Sequence, residues 1–230
     1  MEYSKNVKFI PWEGSEYKYG IRGFDENGHI IYGTKENPGI KVAVLGDSHY
    51  CANQSEAVET ITNTIIKDLL QKESEFEPYK NTYTKFIKSF TGYIDEFTID
   101  SKIEAWHHIL FYNYVQEAMQ RPRQSPSKKQ FSEAQIPFFE ILEKNSPDVI
   151  IVWGKRLYNN LPQCGKQYPD LTLPSSLGKN QSVEIWAYEV KGKWIPILAI
   201  NHPSGAYSYS FWGTVIKSFI SKYSTTHGIL

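Results

Sequence analysis

The sequence predicts a three-layer αβα domain, an α/β fold with a central, mainly parallel sheet, and three observations carry that prediction. Short apolar runs (Val42-Ala43-Val44-Leu45, Ile109-Leu110-Phe111-Tyr112, Val149-Ile150-Ile151-Val152) suit strands buried on both faces. Segments with apolar residues at helical spacing alternate with them, as strand–helix–strand units require. At 230 residues the chain can bury a large core without staples, and its two cysteines, Cys51 and Cys164, show no metal-ligand spacing.

The elements follow in order. Residues 1–40 alternate aromatic and polar residues punctuated by glycines, which predicts short antiparallel strands. Asn27-Gly28 reads as a hairpin turn before His29-Ile30-Ile31-Tyr32. This N-terminal β-hairpin region is expected to cover one sheet edge, with residues 41–230 forming the single α/β domain. Lys41–Gly46 is the first core strand. Ala57, Val58, Ile61, Ile65, Ile66, Leu69 and Leu70 recur at helical spacing and predict a helix within Gln54–Lys72. A second helix is expected over Tyr79–Phe90, and a strand over Ile109–Asn113 with His107-His108 at its start, pointing to opposite faces. Gln135–Lys144 reads as a helix, Asp148–Gly154 as a strand, and Lys155–Leu161 as a short helix closed by Pro162. Two more strands, Val183–Val190 and Trp194–Ile200, flank a Lys191-Gly192-Lys193 turn. A helix from Phe211 to Lys222 ends the pattern.

Lysine plus arginine total 25 and aspartate plus glutamate total 25, so the chain does not grip a polyanion by bulk charge. Its charge is uneven. Arg121, Arg123, Lys128 and Lys129 form a basic island in a loop rich in Pro, Ser and Gln, and Lys217 and Lys222 form another. A composition 40% hydrophobic and 22% charged excludes disorder, and no apolar run is long enough for a transmembrane helix. The first twenty residues lack the apolar stretch of a signal peptide. The expectation is a cytoplasmic monomer with no membrane association, no metal and no cofactor.

In folds of this class ligands sit beyond the carboxyl ends of the strands. Three chemically rich segments fall there. Gly46-Asp47-Ser48-His49-Tyr50 places an acid, a hydroxyl and an imidazole after the first core strand. Asp47 is a candidate to orient or deprotonate water, Ser48 a candidate nucleophile, and His49 a candidate general base. Asn113 ends an apolar strand, and its amide offers donors and an acceptor for the edge of a base. His202-Pro203-Ser204-Gly205 fixes a loop with Pro and Gly, and its histidine is suited to stabilise developing negative charge by donating a hydrogen bond.

Taken in order, these segments resemble the uracil-DNA glycosylase superfamily. That family has a glycine-led motif after a strand (G-Q-D-P-Y-H in one branch), then a strand-end Asn, a V-I-L-W-G strand and an H-P-S motif. The counterparts are Gly46–Tyr50, Phe111-Tyr112-Asn113, Ile150-Ile151-Val152-Trp153-Gly154 and His202-Pro203-Ser204, over roughly residues 40–223. The resemblance implies that Asn113 reads the base, His202 stabilises the departing base, and Tyr50 shields the pocket, with Gly46 and Ser204 also lining it. It also implies DNA as partner, single- or double-stranded, with Arg121, Arg123, Lys128 and Lys129 touching phosphates, and no cofactor. The first motif departs from the family: Ser48 stands where one branch has its water-activating Asp, and His49 replaces the Pro. The water activator is then Asp47 or His49.

Two other readings stay open. A binding protein on the same fold, silent in catalysis, accommodates the irregular first motif. A serine esterase of the G-D-S type would use Ser48 as nucleophile and His202 as base, although Ala199 stands where its acid–histidine pair would place the acid.

Overall fold

The computed structural model describes residues 2–72, 77–121, 124–177 and 181–224. Nine strands are described: β1 (Trp12–Glu13), β2 (Ile21–Phe24), β3 (Ile30–Tyr32), β4 (Val42–Gly46), β5 (Ile109–Asn113), β6 (Val149–Trp153), β7 (Lys166–Thr172), β8 (Ser182–Val190) and β9 (Lys193–Ile200). The helices are α1 (Ile61–Leu69), α2 (Lys80–Thr91), α3 (Ile99–His107), α4 (Lys128–Glu133), α5 (Gln135–Asn145), α6 (Lys155–Tyr158) and α7 (Tyr209–Ser224). One sheet runs β1-β5-β4-β6-β9-β8-β7, and β2 and β3 form a separate hairpin. Its centre (β5, β4, β6, β9) is parallel, while β1, β8 and β7 pair antiparallel at the flanks.

Alternation along the central strands sorts side chains into two layers. Val42, Val44, Ile109, Phe111, Ile151 and Trp153 face Ile66 and Leu69 of α1, Phe86 and Phe90 of α2, Trp106 of α3 and Phe219 of α7. Ala43, Leu45, Leu110, Tyr112, Ile150 and Val152 face Phe131 of α4, Phe138 and Ile141 of α5 and Leu157 of α6. Helices therefore cover both faces, as the three-layer prediction requires. Each large side chain removed from water contributes about 1.5–3 kcal/mol. The N-terminal region covers one edge: β1 pairs with β5, and the Trp12 indole N–H donates to the Trp106 carbonyl at 2.8 Å.

Several elements differ from the sequence reading. The helix expected within 54–72 begins only at Ile61, and Val58 is left half exposed. His107-His108 does not start a strand: His107 ends α3 and His108 is its C-cap, buried, with Nδ1 3.0 Å from the Glu104 carbonyl oxygen. The Thr98–Ser101 capping box that starts α3 carries only hydroxyls, so the helix has little sequence signature. Lys128 and Lys129 belong to α4, not to a loop, because Ser127 and Gln130 close a second capping box. The polar strand β7 contains Pro169, which falls at a register shift on the sheet's outer edge, where a missing N–H is tolerated. No helix among the described residues is long and apolar enough to cross a membrane.

Candidate functional site

The parallel strands β4, β5, β6 and β9 all end at one sheet edge. The chain leaves β4 for β5 on one side and then crosses to β6 on the other, so strand order reverses at β4. In open α/β sheets ligands bind beyond the strand ends at such a reversal. The segment after β4 is pinned there by its backbone. Tyr114 N–H donates to the Gly46 carbonyl at 2.9 Å, Val115 N–H to that of Asp47 at 3.0 Å, and Met119 N–H to that of His49 at 2.8 Å. Asp47, Ser48 and His49 thus project from a held ribbon. The helix that follows, α1, has Thr60 at its N-cap position, so neither Asp47 nor Ser48 serves as its cap.

Asn113 and His49 form one unit. Asn113 Nδ2 lies 3.1 Å from His49 Nδ1, and His49 Nε2 lies 2.9 Å from Thr62 Oγ1, all buried. An amide nitrogen only donates, so Nδ1 is the acceptor and Nε2 carries the proton given to Thr62. Burial pushes the His49 imidazole down to about 3, and its ring stands edge-on to Phe9 at 5.2 Å. With both nitrogens engaged and no exposed edge, His49 is a strut for Asn113; this corrects its reading as a general base. The Asn113 carbonyl accepts from Gln116 Nε2 at 3.0 Å, and Gln116 Oε1 accepts from Phe9 N–H at 3.0 Å. Gly46 lies against the amide: a Cβ there would fall 2.1 Å from Asn113 Oδ1.

Asp47 is buried and ion-paired. Its Oδ2 accepts from Arg156 Nε at 2.8 Å and lies 2.7 Å from Arg156 Nη2, while Oδ1 is buried without a hydrogen-bond partner among the described residues. Arg156 Nη1 donates to Ser125 Oγ at 2.7 Å. Arg156 comes from α6, directly after β6. The sequence reading missed it, although a basic residue three positions past the Trp153 strand end is the signal that would find it. Ser48 Oγ is buried with no hydrogen-bond partner among the described residues, His202 included. A serine nucleophile needs a base within hydrogen-bond reach, so the esterase pairing of Ser48 with His202 is not formed.

His202 follows β9 and stands on Trp153, ring to ring at 6.2 Å and nearly perpendicular. Gly154 has φ +94, and a Cβ there would press on the His202 Cβ at 3.3 Å, so glycine answers both the backbone and the space. Ser204 N–H donates to His202 Nδ1 at 3.2 Å, and Ser204 Oγ lies 2.7 Å from the same atom. A backbone N–H fixes Nδ1 as an acceptor, so the neutral ring carries its proton on Nε2. Burial lowers the pKa of His202, nearby Asp47 raises it, and Arg156 lowers it. The strand ends therefore hold a neutral imidazole N–H donor near a carboxylate, and a fixed carboxamide at the end of β5.

The remaining predicted residues lie outward. Tyr50 is 45% exposed, which leaves it on the rim rather than closing a pocket. Arg121, Lys128 and Lys129 are exposed, and Lys129 pairs loosely with Glu133 at 3.6 Å. Arg123 lies outside the described residues. Ser125, held by Arg156, joins this basic stretch to the site. Among the described residues no group of three or more His, Cys, Asp or Glu is placed to hold a metal ion. Clefts away from the strand ends, such as one of about 510 Å³ lined by Ser15, Tyr19, Glu104, His107 and His108, contain none of these groups. No protein-family model matches the chain and no curated protein matches it.

Proposed function

We propose that the chain is a base-excision N-glycosyl hydrolase of the uracil-DNA glycosylase type, acting on DNA as a cytoplasmic monomer. The observation that carries the reading is the Ser204–His202 bond, which leaves the imidazole Nε2–H as a neutral donor beside Asp47. In this reading the target nucleotide is turned out of the stack, at a cost of a few kcal/mol. Asn113, held by His49, reads the edge of the base. Water adds to C1′ as the C1′–N bond breaks; the bonding pair leaves with the base, whose negative charge is met by His202 Nε2–H. The water proton passes to Asp47 and then to solvent. A donor of this kind is worth about 10²–10³ in rate. Arg121, Lys128 and Lys129 supply phosphate contacts.

A second reading, a nucleic-acid-binding protein without excision, is favoured by the Arg156 clamp, since Asp47 Oδ2 already faces two guanidinium nitrogens and is not open to a water. One experiment separates the two. Purified protein is incubated with uracil-, hypoxanthine- and G·T-containing oligonucleotides, single- and double-stranded, and alkali then reveals abasic sites. Excision expects cleavage of at least one substrate, lost in His202→Ala. Salt-sensitive binding with no abasic sites overturns it for the binding protein.

A further inference from the structure

We infer that Arg156 is a latch shared between Asp47 and the phosphate backbone of a bound strand, so that seating nucleic acid frees the carboxylate. The inference takes its ligand from the base-excision reading above and its mechanism from the geometry of the clamp. Arg156 places each of its three nitrogens within the protein: Nε and Nη2 on Asp47 Oδ2 at 2.8 and 2.7 Å, and Nη1 on Ser125 Oγ at 2.7 Å. The two ends of this pair differ in access. The Asp47 side chain is 8% exposed and that of Arg156 is 43% exposed, so a ligand arriving from solvent meets the guanidinium first. Ser125 lies between exposed Arg121 and exposed Lys128 and Lys129, along the stretch where a phosphate chain would run.

A phosphodiester offers a guanidinium anionic oxygens as a carboxylate does, and Arg156 engages only one oxygen of Asp47, so it can move to a phosphate without breaking a two-oxygen pair. With Arg156 on Asp47, Oδ2 has its lone pairs occupied by charged donors, and Oδ1 is buried away from solvent. With Arg156 drawn onto phosphate, Oδ2 opens beside His202, which lies in the field of both groups. Oδ2 stays engaged until a strand is in place. Arg156 is thus a positioning residue, acting through Asp47.

The test follows the guanidinium itself. In the full chain labelled with heavy nitrogen, the Arg156 Nε–H resonance is assigned by its loss in Arg156→Lys and, independently, by its displacement in Asp47→Asn. Titration with a uracil-free single-stranded oligonucleotide is expected to move this resonance in step with binding. Arg156→Gln is expected to weaken binding about tenfold or more, the worth of a charge-assisted hydrogen bond, and to reduce the slope of log affinity against log salt by about one. Binding that shifts other resonances while Arg156 Nε–H stays in place overturns the latch and leaves the base-excision reading standing. No binding of the oligonucleotide overturns both.

Discussion

His49 sets a pH dependence of stability that isolates the buried strut from every other group. In the folded chain its imidazole is pushed down to about 3 by burial, with Nδ1 accepting from Asn113 and Nε2 bonded to Thr62. In the unfolded chain it titrates near its usual value of about 6.5. The folded-state pKa is the lower one, so below pH 6.5 the unfolded chain binds a proton that the folded chain refuses. Stability is therefore fully present above about pH 6.5 and falls as pH drops toward 3. One proton corresponds to about 1.4 kcal/mol per pH unit, or about 2 kcal/mol between pH 6.5 and 5. Urea denaturation of wild type and His49→Gln across this range removes the contributions both proteins share, including that of His202, whose pKa is also lowered by burial. The expected result is a wild-type slope steeper by about 1 kcal/mol or more per pH unit. Parallel slopes, or a His49 imidazole that titrates above pH 5 by NMR in the wild type, refute the reasoning.

Three further outcomes follow from the same geometry. Thr62→Val removes the buried partner of His49 Nε2 and is expected to cost about 1–3 kcal/mol, read as a fall in thermal midpoint of roughly 2–4 °C per kcal/mol. Gly46→Ala brings a Cβ to 2.1 Å from Asn113 Oδ1, so the amide must move; about 1–3 kcal/mol of stability should be lost, and base release should fall at least tenfold, about 1.4 kcal/mol in barrier. A fluorophosphonate probe is expected not to label Ser48, whose Oγ has no hydrogen-bond partner among the described residues; labelling by mass spectrometry would move the chemistry to an esterase.

The layered fold was legible because its strands are buried on both faces and so are continuous apolar runs, as in Val149–Trp153. Short elements that start on capping boxes, α3 and α4, and the polar edge strand β7 gave no such run and were not read. The site was legible as positions, since Asp47, Asn113 and His202 all fall at strand ends. The roles were not. Whether His49 is a base or a strut depends on Thr62 and Phe9, and the partner that holds Asp47 is Arg156, 109 residues away. Pairings across that separation leave no periodicity in a single chain.

The central claim is that His202 Nε2–H meets charge on a departing base, and the most direct measurement is the single-turnover rate of base release by wild type and His202→Ala on the preferred oligonucleotide. The account predicts release by the wild type and a fall of about 10²–10³ in the variant, at unchanged oligonucleotide affinity. Equal rates in the two proteins, or no free base from the wild type on any substrate, would contradict it.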